Sequence, residues 1–191
     1  MQGVINSMTE SRFEECISLI CGGDTLGLKE IYEAYYRLIY SIMLNVTGNR
    51  TDSEDLTSDF FVKLWDKLAA LYNNGNGHRT WLAAIARNMA KDHLRKSNRI
   101  KPLDSDDPAV KSVEESSSVS PENDALDSVI ANELLSVLDE TERLIVDLKL
   151  FADFTFKEIA TTLHLPQGTV SWKYRKAISK MGETLKGGAE R

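Results

Sequence analysis

The chain has 191 residues, 42% of them hydrophobic and 27% charged, which suits one large or two small globular domains. No apolar run approaches the roughly 20 residues of a membrane-spanning helix, and the N-terminus lacks a secretory signal pattern, so we expect a cytoplasmic protein without membrane insertion. The net charge of −6 argues against uniform attraction to nucleic acid. The two cysteines, Cys16 and Cys21, are not spaced as a metal or redox pair, and we expect no metal site and no cofactor.

Hydrophobic periodicity predicts helices in the first half of the chain at about 11–21, 28–47, 52–71 and 79–96. The second of these is apolar on most sides, which predicts a central position in a helical bundle. Gly22 and Gly48 are expected to end the first two helices. Thr51 and Glu54 have the spacing of a capping box at the start of the third.

The helix predicted at 52–71 has an apolar stripe and a separate acidic face. The stripe is expected in the core, and the acids near the helix start favour the positive end of the helix dipole. Trp65 lies beside Lys63 and Asp66, where burial alone explains it less well. A tryptophan at the edge of an acidic face is a plausible contact residue for a partner protein.

The helix predicted at 79–96 carries Arg87, Lys91 and Arg95 at intervals of four, which forms a basic ridge. One interpretation is a solvated face on which Asp92 forms an ion pair with a neighbouring Arg or Lys side chain. The other is a ridge that follows a phosphate backbone beside the polar loop 73–78, where unstacked bases of a single strand could lie.

Charge is distributed very unevenly along the chain. Residues 87–101 hold six Lys or Arg against one Asp, and residues 164–186 hold five against one Glu. Between them, residues 102–128 hold eight Asp or Glu against one Lys. The stretch 99–121 is rich in Ser and Pro and has no periodicity, which predicts a flexible acidic linker between two basic modules.

Helices are predicted to resume at about 123–137, 140–151, 155–163 and 168–186. Asp139 with Glu142 and Thr155 with Glu158 predict caps on the second and third of these. The last two helices, joined by a turn with Pro166 and Gly168, have the pattern of a helix-turn-helix.

The final helix is predicted to have a buried and a basic face. The residues expected to point inward are Val170, Ala177, Ile178 and Met181. The residues expected to point outward are Ser171, Trp172, Lys173, Arg175 and Lys176. Such a helix could enter a DNA major groove, although an ordinary helical hairpin with a solvated basic face has the same pattern.

Three segments together resemble the bacterial RNA polymerase sigma factors of the extracytoplasmic-function (ECF) group. YEAYYRLIYSIMLNVTGNRTDSEDLTSDFFVKLWDKL and RTWLAAIARNMAKDHLRK are similar to the start and end of sigma region 2, and LDETERLIVDLKLFADFTFKEIATTLHLPQGTVSWKYRKAISKM is similar to region 4. The resemblance implies an all-α fold of two small helical domains. Residues 1–98 would form the region 2 domain, 99–122 the acidic flexible linker, and 123–191 the region 4 helix-turn-helix domain.

The resemblance also implies a transcription initiation factor that binds core RNA polymerase and promoter DNA. The residues expected to dock on the polymerase are Asp52, Glu54, Asp55, Phe60, Lys63 and Trp65. Those expected to open and recognise the −10 element are Asn73, Asn74, Asn76 and His78 in a base pocket and Arg79, Arg87, Asn88, Lys91 and Arg95 along the strand. Those expected at the −35 element are Ser171, Trp172 and Arg175 at base edges and Thr169, Lys173 and Lys176 at phosphates.

Two positions depart from the family pattern. His164 stands where many members have glycine, which predicts a turn of different shape, and Trp172 stands in place of a smaller polar residue. The tryptophan indicates either an unusual −35 preference or a packing contact. An anti-sigma factor is a further expected partner, and the free protein is expected to be a monomer.

Two alternatives remain open from the residues. A helix-turn-helix repressor or activator would use residues 1–97 for dimerisation or ligand binding, but it leaves the acidic face and the basic ridge of that half unexplained. An enzyme is not expected, because the sequence has no phosphate-binding glycine loop, no metal-ligand spacing and no pairing of a nucleophile with a base.

Overall fold

The structure is a computed structural model, and it describes residues 8–73, 75, 77–100 and 134–188. Within these ranges every regular element is helical, which confirms the all-α class. The longer helices are α1 (Glu10–Cys21), α2 (Thr25–Thr47), α3 (Arg50–Lys63), α4 (His78–Ile100), α5 (Glu140–Leu150), α6 (Phe156–Leu163) and α7 (Gln167–Gly188). After α3 the chain continues through a π-helical turn (Leu64–Leu68) and a 3-10 turn (Ala69–Leu71).

Helix α2 is the centre of the first module, which comprises α1 to α4. It packs against each of the other three helices, as its apolar sequence predicts. Ile31, Ile39, Ile42 and Met43 are completely buried along it. Gly48 ends the helix in the left-handed conformation at φ 65°, which glycine adopts without steric cost.

The caps of the helices are partly as predicted. Asp139 with Glu142 and Thr155 with Glu158 form complete capping boxes at the starts of α5 and α6, so those two predictions are confirmed. The capping box predicted for Thr51 and Glu54 is wrong. Helix α3 begins earlier, at Arg50, because the side chain of Asn49 accepts a hydrogen bond from the backbone N–H of Asp52.

The second module comprises α5, α6 and α7. Its interior contains Phe154, Ile159, Val170 and Ala177, and Phe156 packs edge-on against Tyr174 with ring centroids 5.4 Å apart. Ile178 was expected to point inward, but 39% of its surface is exposed. Tyr174, one turn earlier on α7, is half-buried against the core, so α7 packs with Tyr174 and Ala177 rather than with Ile178.

The two modules pack against each other through α2 with α5 and through α4 with α6. Most of their buried apolar residues form one continuous cluster, and Leu138, Val146 and Ala177 form a second one within the second module. At the α2–α5 contact, the Asn45 amide lies 3.3 Å from a carboxylate oxygen of Asp147 and donates to it. Burial raises the pKa of Asp147, and a hydrogen bond from Ser41 opposes this only in part.

The linker predicted at 99–122 falls outside the described residues except at its start. There α4 continues to Ile100, because the sequence has no glycine or proline between Arg79 and Pro102. Of the helix predicted at about 123–137, residues 134–136 are helical and those before them lie outside the described ranges. None of the helices in the described part of the chain is long and apolar enough to cross a bilayer.

Helices α1 and α2 cross so closely at Gly27 that a Cβ there would lie 2.3 Å from the backbone carbonyl oxygen of Cys16. We expect Gly27→Ala to lower the free energy of unfolding by about 1–3 kcal/mol, because backbone would have to move. The matched control is Gly182→Ala in α7, where a Cβ meets nothing within 4 Å. It should raise stability by up to about 1 kcal/mol. Urea unfolding measures both, and equal stability of Gly27→Ala and the wild type would contradict the close crossing.

Candidate nucleic-acid and protein interfaces

The acidic face of α3 is exposed, but one of the residues predicted to dock on the polymerase is buried. Asp55 is open to solvent, while Glu54 pairs with Arg50 at 2.9 Å. Asp52 lies 3.3 Å from a ring nitrogen of His93 on α4. Phe60 is completely buried, so its prediction as a surface contact is corrected: it supports the face from inside the core.

Lys63 and Trp65 lie at the end of the same face and are each half-buried. Trp65 sits in the π-helical turn and packs against the core cluster. Val62, which the sequence argument did not select, is 58% exposed on the outer side of α3. The sequence could have predicted this exposure, because Val62 follows Asp55 by seven positions and therefore lies on the same side of the helix.

The loop before α4 is described only in part. Asn73 is exposed, whereas Asn74 and Asn76 lie outside the described residues. His78, predicted as part of a base pocket, is only 5% exposed. Its Nε2 lies 2.5 Å from the Tyr35 hydroxyl and its Nδ1 lies 2.5 Å from the Glu10 carboxylate. The prediction is therefore corrected for this structure, since neither ring nitrogen is free to contact a base.

Three of the four cations predicted for the −10 strand are half-buried and lie next to the second module. Arg79 donates to the backbone carbonyl of Ala152, and its guanidinium lies 4.6 Å from the centre of the Phe154 ring. Arg87 and Lys91 line a cleft that α5 closes from the other side with Glu140 and other residues. In this arrangement these three side chains are partly withdrawn from solvent.

Partial burial in that cleft makes the charged forms of Arg87 and Lys91 less favourable. Burial lowers the pKa of Arg87, with a smaller opposing effect from Glu140. Burial and then the neighbouring Arg87 charge lower the pKa of Lys91. Arg95 also lines this cleft, but its side chain is exposed and pairs with Asp92 at 3.1 Å, and Asn88 is exposed.

The helix-turn-helix has the predicted form. His164 adopts the left-handed conformation at φ 54° and ψ 44° and ends α6 there, in a conformation that glycine adopts most readily. Helix α7 then begins at Gln167, and its outer face carries Trp172, Arg175 and Lys176 in exposed positions.

Trp172 does not fill the core. It is 57% exposed, and the Lys176 ammonium lies 5.1 Å from the centre of its ring. Its contact with Lys176 lies on the surface of α7, so the exposure of Trp172 argues against a role in the core. Thr169 and Ser171 are half-buried beside it, and Lys173 pairs with Asp139 at 3.1 Å on the side of α7 that faces α5.

A buried carboxylate joins α5 to the basic face of α7. Glu142 is completely buried, 2.5 Å from the Lys180 ammonium and 3.6 Å from that of Lys176. Burial works to raise the pKa of Glu142, but the hydrogen bond from Lys180 and the capping bond to Asp139 outweigh it and hold the pKa below its ordinary value. Sequence reasoning assigned Glu142 only a capping role and missed this pairing across two helices.

Comparison with known proteins gives matches to both modules. The family model for sigma-70 region 2 matches residues 31–100, and the model for sigma-70 region 4 matches residues 134–182. The ECF RNA polymerase sigma factor SigL of Mycobacterium tuberculosis is 23% identical over 83% of this chain and 88% of its own length. The RNA polymerase sigma-H factor of Pseudomonas aeruginosa is 26% identical over 93% of this chain and 97% of its own.

A solved structure has the same fold. The sigma factor RpoE from Bartonella quintana, in complex with the anti-sigma factor NepR, superposes with a TM-score of 0.67 and 24% identity over 83% of this chain and 96% of that one. The two family models together match more than half of the chain, in the order and spacing of sigma regions 2 and 4. This chain therefore belongs to the ECF RNA polymerase sigma factors.

Replacing Trp172 with Ala should weaken binding without weakening the fold. The ring is exposed, so the free energy of unfolding should change by less than about 0.5 kcal/mol. Binding to double-stranded DNA at low ionic strength should fall by roughly tenfold, since the ring and the cation above it lie on the outer face of the recognition helix. Leu185→Ala, 53% exposed near the end of the same helix, is the matched control and should change neither quantity. Lost stability with unchanged binding would show a packing role instead.

Proposed function

We propose that this chain is an initiation subunit that binds core RNA polymerase and directs it to promoters with a −10 and a −35 element. The presence of both sigma regions in one chain, each with a basic helix, carries this proposal. A helix-turn-helix alone would serve a repressor equally well. The region 2 module, with an acidic face on α3 and a basic ridge on α4, has no comparable use in a repressor.

The docking surface for the polymerase is proposed on the outer side of α3. Asp55 and Val62 are both exposed there, and Trp65 stands at its edge. Exposed carboxylates steer a basic partner and fix its orientation, and the apolar side chains among them contribute affinity once water is expelled. The proposal assigns no catalytic residue to this chain, because the polymerase performs the chemistry, and it places the protein in the cytoplasm with the polymerase.

The −10 element is proposed to meet the loop around Asn73 and the ridge of α4. Unstacking a base costs a few kcal/mol, which contacts to the strand must offset. In the structure Arg79, Arg87 and Lys91 face the second module, so they reach DNA only after the two modules separate. We therefore expect the free chain to bind promoter DNA poorly and the polymerase to hold the modules apart.

The −35 element is proposed to meet α7, whose outer face is exposed without any separation of the modules. Arg175 and Trp172 would contact base edges, while Lys176 and Thr169 would contact phosphates. A regulatory partner is proposed as well. The similar RpoE protein is held by an anti-sigma factor, and a protein of that kind could bind this chain and keep it from the polymerase.

Transcription in vitro tests this function. The full chain is added to sigma-free core polymerase with genomic DNA from the same cell as template, and the 5′ ends of the transcripts are mapped. We expect new, discrete start sites that share two upstream elements. Stable DNA binding by the chain with no new transcripts would contradict the proposal and favour a repressor.

Charge reversal on α3 tests the docking surface. Asp55→Lys should lower affinity for core polymerase by about tenfold or more, because it places a cation against a basic partner. Glu15→Lys, an equal charge change at an exposed position of α1, is the matched control and should bind like the wild type. Equal affinities for both variants would show that the acidic face of α3 is not the contact.

A further inference from the structure

A cleft of about 400 Å³ lies between the two modules, along one side of α4. Its walls come from four helices: α2 and α4 of the first module and α5 and α6 of the second. The apolar residues that line it include Leu94, Leu144 and Leu163. The volume lies within the range of sites that bind small molecules. Because both modules contribute walls, the cleft exists only while they are packed together.

Cations dominate the polar lining of this cleft. Arg87, Lys91 and Arg95 follow one another at intervals of four residues, so they lie on one side of α4 over about two turns. Glu140, at the start of α5, is the one carboxylate among the lining residues in the described part of the chain. Three positive charges thus face a single negative charge, and the cleft attracts an anion.

Two of these cations lack a partner that would explain their partial burial. Arg87 and Lys91 are half-buried, and neither forms a hydrogen bond or an ion pair with another residue of the described ranges. Burial lowers the pKa of both side chains, and the charge of Glu140 opposes this only in part. Withdrawing a charge from water costs free energy unless a counter-charge replaces the water. An anion in the cleft would supply that counter-charge.

We propose that this cleft binds a small anion with a chain of phosphates, such as pyrophosphate or a nucleoside polyphosphate, and that the bound anion stabilises the packed arrangement of the modules. A chain of phosphates suits cations one turn apart better than a single phosphate does, because its charge is spread along its length. The hydroxyl of Thr141, which lines the same cleft, can donate a further hydrogen bond. This binding site goes beyond the proposed function.

Such an anion would oppose promoter binding. Arg87 and Lys91 are also proposed to follow the −10 strand, so a free phosphate chain and the DNA backbone would use the same side chains. The anion binds the packed chain and the strand binds the separated chain, so each lowers the apparent affinity for the other. This competition rests on the proposed function, whereas the binding of the anion does not.

Titration of the free, full-length chain with pyrophosphate at constant ionic strength tests the site directly. Calorimetry should show saturable one-to-one binding with a dissociation constant below about 1 mM. The unfolding temperature should rise by about 5 °C at 100 times the dissociation constant. Weaker binding, or binding of several ions without saturation, would overturn the inference, because it would show only general attraction to a basic surface.

Lys91→Met is the first informative variant, since it removes the charge and keeps an unbranched side chain. Its affinity for pyrophosphate should fall about tenfold or more. Without the anion it should be at least as stable as the wild type, because a half-buried cation without a partner has been removed. Lys96→Met is the matched control, the same change at an exposed position of α4 outside the cleft, and it should bind pyrophosphate normally. Equal losses in both variants would contradict a defined site.

Glu140→Gln shows whether the anion lies between the modules rather than on α4 alone. Removal of the carboxylate across the cleft should raise the affinity for pyrophosphate about threefold, since a repulsion is lost. Glu183→Gln, an exposed carboxylate of α7 that does not line the cleft, is the matched control and should not change it. Unchanged affinity in Glu140→Gln would overturn the placement of the anion between the modules.

Two further comparisons define the ligand and its consequence. ATP should bind at least as tightly as pyrophosphate and adenosine should not bind; equal binding of ATP and adenosine would overturn recognition through phosphates. Saturating pyrophosphate should lower the affinity of the free chain for a single-stranded oligonucleotide of the mapped −10 sequence, and unchanged affinity would overturn the competition. Failure of the chain to direct transcription would contradict the proposed function but would leave the pyrophosphate titrations unaffected, so the two failures are distinguishable.

Discussion

The contact between Arg79 and the second module is the constraint on which the functional organisation of this chain depends. The Arg79 guanidinium donates to the carbonyl of Ala152 and lies over the ring of Phe154. A DNA strand that binds along α4 as proposed would contact the same side chain. The two uses exclude each other. If the −10 element binds as proposed, a partner that stabilises the separated modules also frees Arg79 for the strand, and a partner that stabilises the packed modules withdraws it.

This exclusion has a calculable consequence. If the packed arrangement holds about 99% of the free chain, the apparent affinity for the −10 strand falls about 100-fold, with no change in the contacts themselves. The contact between the modules also contains a side chain that lowers its stability. Asp147 is half-buried between α2 and α5, and burial raises its pKa, so its ionisation there costs free energy that the hydrogen bonds from Asn45 and Ser41 offset only in part.

The −35 surface behaves differently, because the outer face of α7 does not take part in the contact between modules. Trp172 and Arg175 are exposed in the packed arrangement, and Glu142 fixes the basic helix from behind through Lys180. In the proposed function, the −35 surface is therefore exposed in the packed arrangement, whereas Arg79, Arg87 and Lys91 of the −10 surface are partly withdrawn.

The sequence predicted the helices well, because their signals are local. Periodic apolar residues and the caps at Asp139 and Thr155 lie within one or two turns of the helices they define. The errors come from contacts between residues far apart in the chain. Nothing near His78 in sequence shows that it binds Glu10, which is 68 positions away. Phe60 instead belongs to the apolar stripe of its helix, so its burial has a local signal, and its assignment to a surface contact came from the family resemblance alone.

The same limit applies to the candidate site. Arg79, Arg87 and Lys91 form a basic ridge by spacing alone, and the sequence correctly places them on one helix. Their packing against the second module depends on the fold of residues about 50 or more positions later, which no local pattern encodes. Glu10 was missed because an acidic residue in the first turn of a helix already has a sufficient local explanation in the helix dipole.

The most direct test of the central claim is the distance between the modules. Cys21 is exposed on α1 and Cys16 is buried, so one spin label on Cys21 and one on Leu185→Cys near the end of α7 can report that distance in the full chain. The free chain should give one narrow distribution, and addition of core polymerase with promoter DNA should replace it with a longer distance. An unchanged distribution in the complex would contradict the claim that the −10 surface becomes available by separation of the modules.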